Sequence, residues 1–112
     1  MAIALTTQIT EQTLNIIQSF KAERIPLSEA EDFVSNLLEK AIVDIEANPL
    51  QYPIDQTALL LGVRLHRWLD PTGKYICLFR YLPATDEVIL DIFANTKQDW
   101  LSLLYLVQIS RP

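Results

Sequence analysis

Residues 74–100, K-Y-I-C-L-F-R-Y-L-P-A-T-D-E-V-I-L-D-I-F-A-N-T-K-Q-D-W, constrain the fold more than any other stretch of the chain. Two strongly apolar runs, residues 75–82 and 88–93, flank the turn-forming Pro83-Ala84-Thr85-Asp86-Glu87. Each run is too short for a buried helix, is rich in aromatic and aliphatic residues, and is bounded by breakers. Together they predict a β-hairpin at the centre of a sheet. The polar Asn95-Thr96-Lys97-Gln98-Asp99 closes the second strand, and a polar loop at a strand end is where a small domain often keeps its working surface.

The first half of the chain supplies helices to cover such a sheet. Residues 1–5 are short and apolar, a first strand or an arm. Thr6 and Thr7 are suited to capping a helix from about Gln8 to Glu23, with Ile9, Thr13, Ile16, Ile17 and Phe20 at helical spacing. After the break at Arg24-Ile25-Pro26, Ser28 and Glu31 form a capping-box pattern. Ala30, Phe33, Val34, Leu37, Leu38, Ala41, Ile42 and Ile45 then mark one apolar stripe, which Asn48-Pro49 ends. Residues 48–56 read as a proline-stiffened connector and residues 59–69 as a strand, with Gly62 as a bulge or close approach. From Val63 this stretch alternates, with Leu65, Arg67 and Leu69 on one side and Arg64, His66 and Trp68 on the other. Asp70-Pro71-Thr72-Gly73 is a turn. Residues 100–109 read as a short C-terminal helix after an Asp99 N-cap, or as an edge strand. The expected fold is α+β, one domain over 1–112: an N-terminal helical hairpin packed on a twisted antiparallel sheet of three or four strands, with a short C-terminal helix.

Composition narrows the class. Half of the residues are apolar and only two are glycine, which argues against disorder. No apolar run is long enough for a membrane span, and the N-terminus lacks the basic start of a signal peptide. A cytoplasmic location is the expectation. The single cysteine, Cys77, sits inside an apolar strand and reads as a buried, inert thiol. The net charge is −5, and it is unevenly placed. Residues 1–52 carry eight acids against three bases, whereas residues 53–112 carry six of each. The helical half would repel a polyanion, so an anion-binding face belongs on the sheet half.

No phosphate-binding glycine loop is present, and His66 has no second histidine for a metal site. No metal or cofactor is expected, and His66 reads as a sheet-face residue or a site residue. The bases of the sheet half stand out. Arg64, Arg67, Arg80 and Lys97 either gather with Trp68, Trp100 and Tyr105 into a basic–aromatic patch for phosphate or an acidic protein segment, or pair with Asp70, Asp86, Asp91 and Asp99.

Three segments, in order, resemble the RelE/ParE superfamily of bacterial toxin–antitoxin toxins. They are I-V-D-I-E-A-N-P-L-Q-Y-P (residues 42–53), Y-I-C-L-F-R-Y (residues 75–81) and I-F-A-N-T-K-Q-D-W (residues 92–100); the resemblance spans roughly residues 3–105. It implies a helical hairpin on an antiparallel sheet and a cognate antitoxin that wraps the toxin, for which an exposed sheet edge and apolar grooves are suited. RelE-like members cut messenger RNA on the ribosome, whereas ParE-like members inhibit DNA gyrase. The ribonuclease branch tends to be basic and places an arginine where this chain has Ile76. It also carries a strand-end histidine where Ala94-Asn95 stand here. These departures favour the ParE-like branch, a gyrase inhibitor contacting its target through Arg64, Arg67, Arg80, Lys97 and Trp100. An mRNA interferase would have to use Arg64, Arg80, Lys97 and Tyr105. A third alternative is an inactive remnant that only binds its partner. A homodimer or a toxin–antitoxin hetero-oligomer is the implied assembly.

Overall fold

The computed structural model describes residues 2–97; the terminal element expected over residues 100–109 lies outside them. A three-residue strand, β1 (Ile3–Leu5), comes first. Thr7 then starts a helix. Its hydroxyl accepts the Thr10 N–H at 3.2 Å, and the Thr10 hydroxyl accepts the Thr7 N–H at 3.0 Å. This reciprocal pair satisfies donors that the first turn of α1 (Gln8–Ala22) cannot. The second helix, α2 (Leu27–Ala47), buries the expected stripe, with Ala30, Val34, Leu37, Ala41 and Ile45 inside. Its start differs from expectation. Pro26 is the N-cap and no side chain caps the helix, so Ser28 already lies in the first turn and no Ser28/Glu31 capping box forms.

Residues 59–69 depart further, because only their last part is strand. Asp55 accepts the Ala58 N–H at 2.9 Å and opens a short helix, α3 (Gln56–Leu60). Gly62, at φ +80°, closes it: its N–H donates to the Leu59 carbonyl and the Val63 N–H to the Ala58 carbonyl, both at 3.0 Å. This is a left-handed helix stop, the conformation that glycine adopts without penalty, and not a strand bulge. β2 is therefore only His66–Leu69.

β3 (Tyr75–Leu82) and β4 (Glu87–Asn95) form the predicted hairpin. They occupy the centre of a four-stranded sheet ordered β1-β4-β3-β2. β2, β3 and β4 are antiparallel, while β1 joins β4 in parallel, so the sheet is mixed. The helices pack on one face, where Leu14, Ile17, Val34, Leu37 and Ile45 meet Trp68, Cys77, Phe79, Leu90 and Phe93. Leu65, Ile76, Leu78, Ile92 and Ala94 form a second buried cluster with Ala58. Burial on both faces explains why the hairpin strands read as nearly unbroken apolar runs. On α1 the buried stripe is Thr10, Thr13, Leu14 and Ile17, while Phe20 is 63% exposed. Among the described residues no helix is long and apolar enough to cross a membrane.

The sheet edges are closed by specific polar groups. β4 outruns β1, whose last partner is Ile89. Beyond it, the Thr10 hydroxyl donates to the Leu90 carbonyl, and the Phe93 N–H donates to the Thr13 hydroxyl at 3.1 Å. Two threonines of α1 thus stand where a neighbouring strand would. On β1, Ile3 donates inward to the Asp86 carbonyl, which leaves Ala4 facing outward, and its N–H donates to the Glu46 carboxylate at 2.8 Å. Beside β2, the Arg67 N–H donates to the Pro53 carbonyl at 2.9 Å and the Asp55 N–H to the Leu65 carbonyl at 2.7 Å. Among the described residues each edge thus has some of its outward groups already hydrogen-bonded. Part of the sheet edge expected to serve strand addition by a partner is taken up by helix side chains and the proline connector.

Candidate functional site

The sheet-half bases divide between two places. The β3–β4 register shifts between Leu78 and Phe79, and Asp91 is the extra residue on β4. This bulge presents the Asp91 carboxylate, 1% exposed, to Arg80. The Arg80 Nε donates to Oδ2 at 2.8 Å and Nη2 to Oδ1 at 3.1 Å, a two-point, charge-assisted fork. Arg67 pairs in register with Leu78, two residues from Arg80, so the two arginines are diagonal neighbours on one face. Arg67 has its own carboxylate, with Nη1 4.0 Å from Asp55 Oδ2. Arg64 is exposed ahead of β2. Of the expected pairings, Arg80–Asp91 forms. Asp70 instead caps its own turn, accepting the Lys74 and Tyr75 N–H groups at 3.0 Å. Asp86 accepts the Tyr81 hydroxyl at 2.8 Å. Asp99, Trp100 and Tyr105 lie outside the described residues.

Trp68 does not join a surface patch. It is 1% exposed in the core, and its Nε1 donates to the Asp44 carboxylate of α2 at 3.1 Å. His66 is a sheet-face residue: Nδ1 donates to the Tyr52 carbonyl at 2.8 Å, and its ring stacks on Phe79 with centroids 5.2 Å apart. Cys77 is fully buried, and burial, reinforced by the Asp91 charge, pushes its thiol well above the ordinary range. It is no nucleophile in the folded chain.

Lys97 sits elsewhere. Tyr75 pairs with Asn95 at the end of the hairpin, and Arg80 lies five residues further along β3, about 16 Å away at strand rise. Lys97 is positioned by its own N–H, which donates to Asn95 Oδ1 at 2.8 Å, and by Thr96, whose N–H donates to the Lys74 carbonyl at 2.8 Å. It lines a cleft of about 410 Å³ together with Ile17, Phe20, Lys21, Glu23, Arg24, Tyr75 and Asn95. Lys21 lies with its Nζ 4.4 Å from the centre of the Phe33 ring, and Phe33 in turn packs on Tyr75 at 5.3 Å. The cleft thus combines three cations, one acid and an apolar wall. Lys21, Arg24, Phe20, Tyr75 and Asn95 were not among the sequence candidates. For Phe20, Lys21 and Arg24 the signal was the α1 stripe itself, since with Ile17 they follow the i, i+3, i+4, i+7 spacing of one helix face.

Arg67 and Arg80 face carboxylates, whereas the cleft gathers Lys21, Arg24 and Lys97 beside Glu23 and an apolar wall. Among the described residues no group of three or more His, Cys, Asp or Glu side chains is placed to hold a metal ion. No protein-family model and no curated protein matches the sequence.

Proposed function

We propose that the chain is the toxin of a type II toxin–antitoxin module, of the RelE/ParE superfamily and its ParE-like branch, that inhibits DNA gyrase by direct contact and is neutralised by a cognate antitoxin. The helical hairpin packed on a sheet, in the order strand, two long helices, a short helix and three antiparallel strands, supports the resemblance. One observation carries the choice of branch: Arg80, the central-strand arginine that an interferase would need to grip a phosphate, is held at two points by the buried Asp91. A guanidinium committed to a buried carboxylate has lost much of its attraction for a phosphate, and a chain of net charge −5 is poorly suited to a polyanionic target.

The test is a gyrase supercoiling assay titrated with the purified chain. Inhibition at near-stoichiometric concentrations, relieved by the product of the adjoining gene, is the expected result. Absence of inhibition together with cleavage of messenger RNA on translating ribosomes would replace this reading with the interferase. Absence of both activities in a folded sample would leave an inactive, partner-binding remnant.

A further inference from the structure

The acidic half of the chain contains three bases. One, Lys40, pairs with Asp44 one turn along α2 at 3.2 Å. The other two, Lys21 and Arg24, line the cleft at the end of α1, and the fold brings Lys97 to them from the far end of β4. Among its described lining residues, three bases stand against one acid, Glu23, which makes this a positive spot on a negative molecule.

The apolar side of the cleft is as pointed. α1 buries Thr10, Thr13, Leu14 and Ile17, and the same face then continues past the core. Phe20 is left 63% exposed. Phe20 also lines a second, smaller cleft of about 260 Å³ with Asn15, Ile16, Ser19 and Glu23, so the two hollows adjoin at Phe20 and Glu23. An exposed aromatic ring that shares a cleft with three cations has the composition of an interface anchor. The cleft is open along one side, so a free small molecule would leave much of its surface wet. A peptide can instead seat one apolar side chain and run its carboxylates along the rim.

We propose that this cleft docks an acidic segment of a partner protein, with one apolar side chain against Ile17 and Phe20 and neighbouring carboxylates on Lys21, Arg24 and Lys97. The proposal stands on the cleft alone and does not depend on the toxin reading.

The test is fluorescence anisotropy of a short fluorescein-labelled peptide of glutamates around a central leucine–phenylalanine pair, titrated with the full chain. Saturable micromolar binding that weakens as NaCl rises from about 50 to about 300 mM is expected. Arg24→Gln and Lys97→Gln should each weaken binding about three- to fivefold, and together about tenfold or more. Phe20→Ser should weaken it by about tenfold while leaving the circular dichroism spectrum unchanged. Lys40→Gln makes the same change in net charge outside the cleft and should leave binding intact. Equal loss with Lys40→Gln would reduce the effect to the general field of the protein and overturn the proposal. So would equal binding of the glutamine version of the peptide, or no binding to the folded wild type. Sedimentation showing self-association that Phe20→Ser abolishes would instead assign the cleft to a second copy of the chain.

Discussion

Replacing Arg80 by alanine asks whether this arginine belongs to the fold or to a target. Its partner Asp91 is 1% exposed, while Arg80 itself is 35% exposed. Breaking a buried ion pair by removing one partner costs about 3–5 kcal/mol. Because water reaches the guanidinium side, the lower end applies, about 3 kcal/mol. With a urea m-value of about 1.5 kcal/mol/M, the unfolding midpoint should fall by about 2 M. Fluorescence of the buried Trp68 offers the readout. Arg80→Lys keeps the charge but loses the fork, and should cost roughly 1–1.5 kcal/mol. A double-mutant cycle with Asp91→Asn should return a coupling of about 2 kcal/mol. If Arg80→Ala costs less than about 0.5 kcal/mol, the pair contributes nothing to the fold. Arg80 would then be free for an anionic target, and the argument against the interferase would fall with it.

Other groups give equally direct expectations. Thr13→Val keeps the shape of the side chain but removes the acceptor of the Phe93 N–H, and should cost about 1–3 kcal/mol in the same unfolding assay. Asp70 titrates below the ordinary carboxylate range: partial burial alone would raise it, but hydrogen bonds from the Thr72 hydroxyl and the Tyr75, Thr72 and Lys74 backbone N–H groups outweigh that. A depressed folded value means that its contribution is present above the unfolded value and lost as pH falls through the folded one. Asp70→Asn should therefore be less stable than wild type at neutral pH, with the gap closing in acid. Cys77 should resist iodoacetamide at pH 8 in the native state and react readily in urea; ready native-state labelling would contradict its burial.

The hairpin and the α2 stripe were legible because each repeats one signal many times over. Every inward position of α2 is apolar, and both faces of β3 are. The two helix starts show where single cues mislead. The Ser28/Glu31 pattern is present in the sequence, but Pro26 already sets the entry backbone, so the helix begins two residues too early for Ser28 to cap it. At residues 59–69 the apolar Leu59-Leu60-Leu61 suggested a strand. The competing cue was an N-cap aspartate, Asp55, with a glycine one short helix later, and a five-residue helix offers too little periodicity to outweigh three leucines. Thr13 was legible only as a member of the α1 stripe and Thr10 not at all, since their role is to complete β4, which lies 80 residues away. The same distance hid the cleft. Lys97 reads as the end of a strand, and nothing local joins it to Lys21 and Arg24.

Those threonine contacts also set the timetable of folding. Each joins residues 80 apart, and the hairpin they complete is the last β structure among the described residues to leave the ribosome. Until then α1 and α2 can form their turns but have no sheet against which to hide their stripes, and β1 has no strand to lie beside. Contacts this distant in sequence slow the search for the native state. During synthesis the N-terminal half is therefore an amphipathic, acidic helical pair awaiting its core, and its charge keeps such waiting chains apart. Any chain that stops short of β4 should remain in that state.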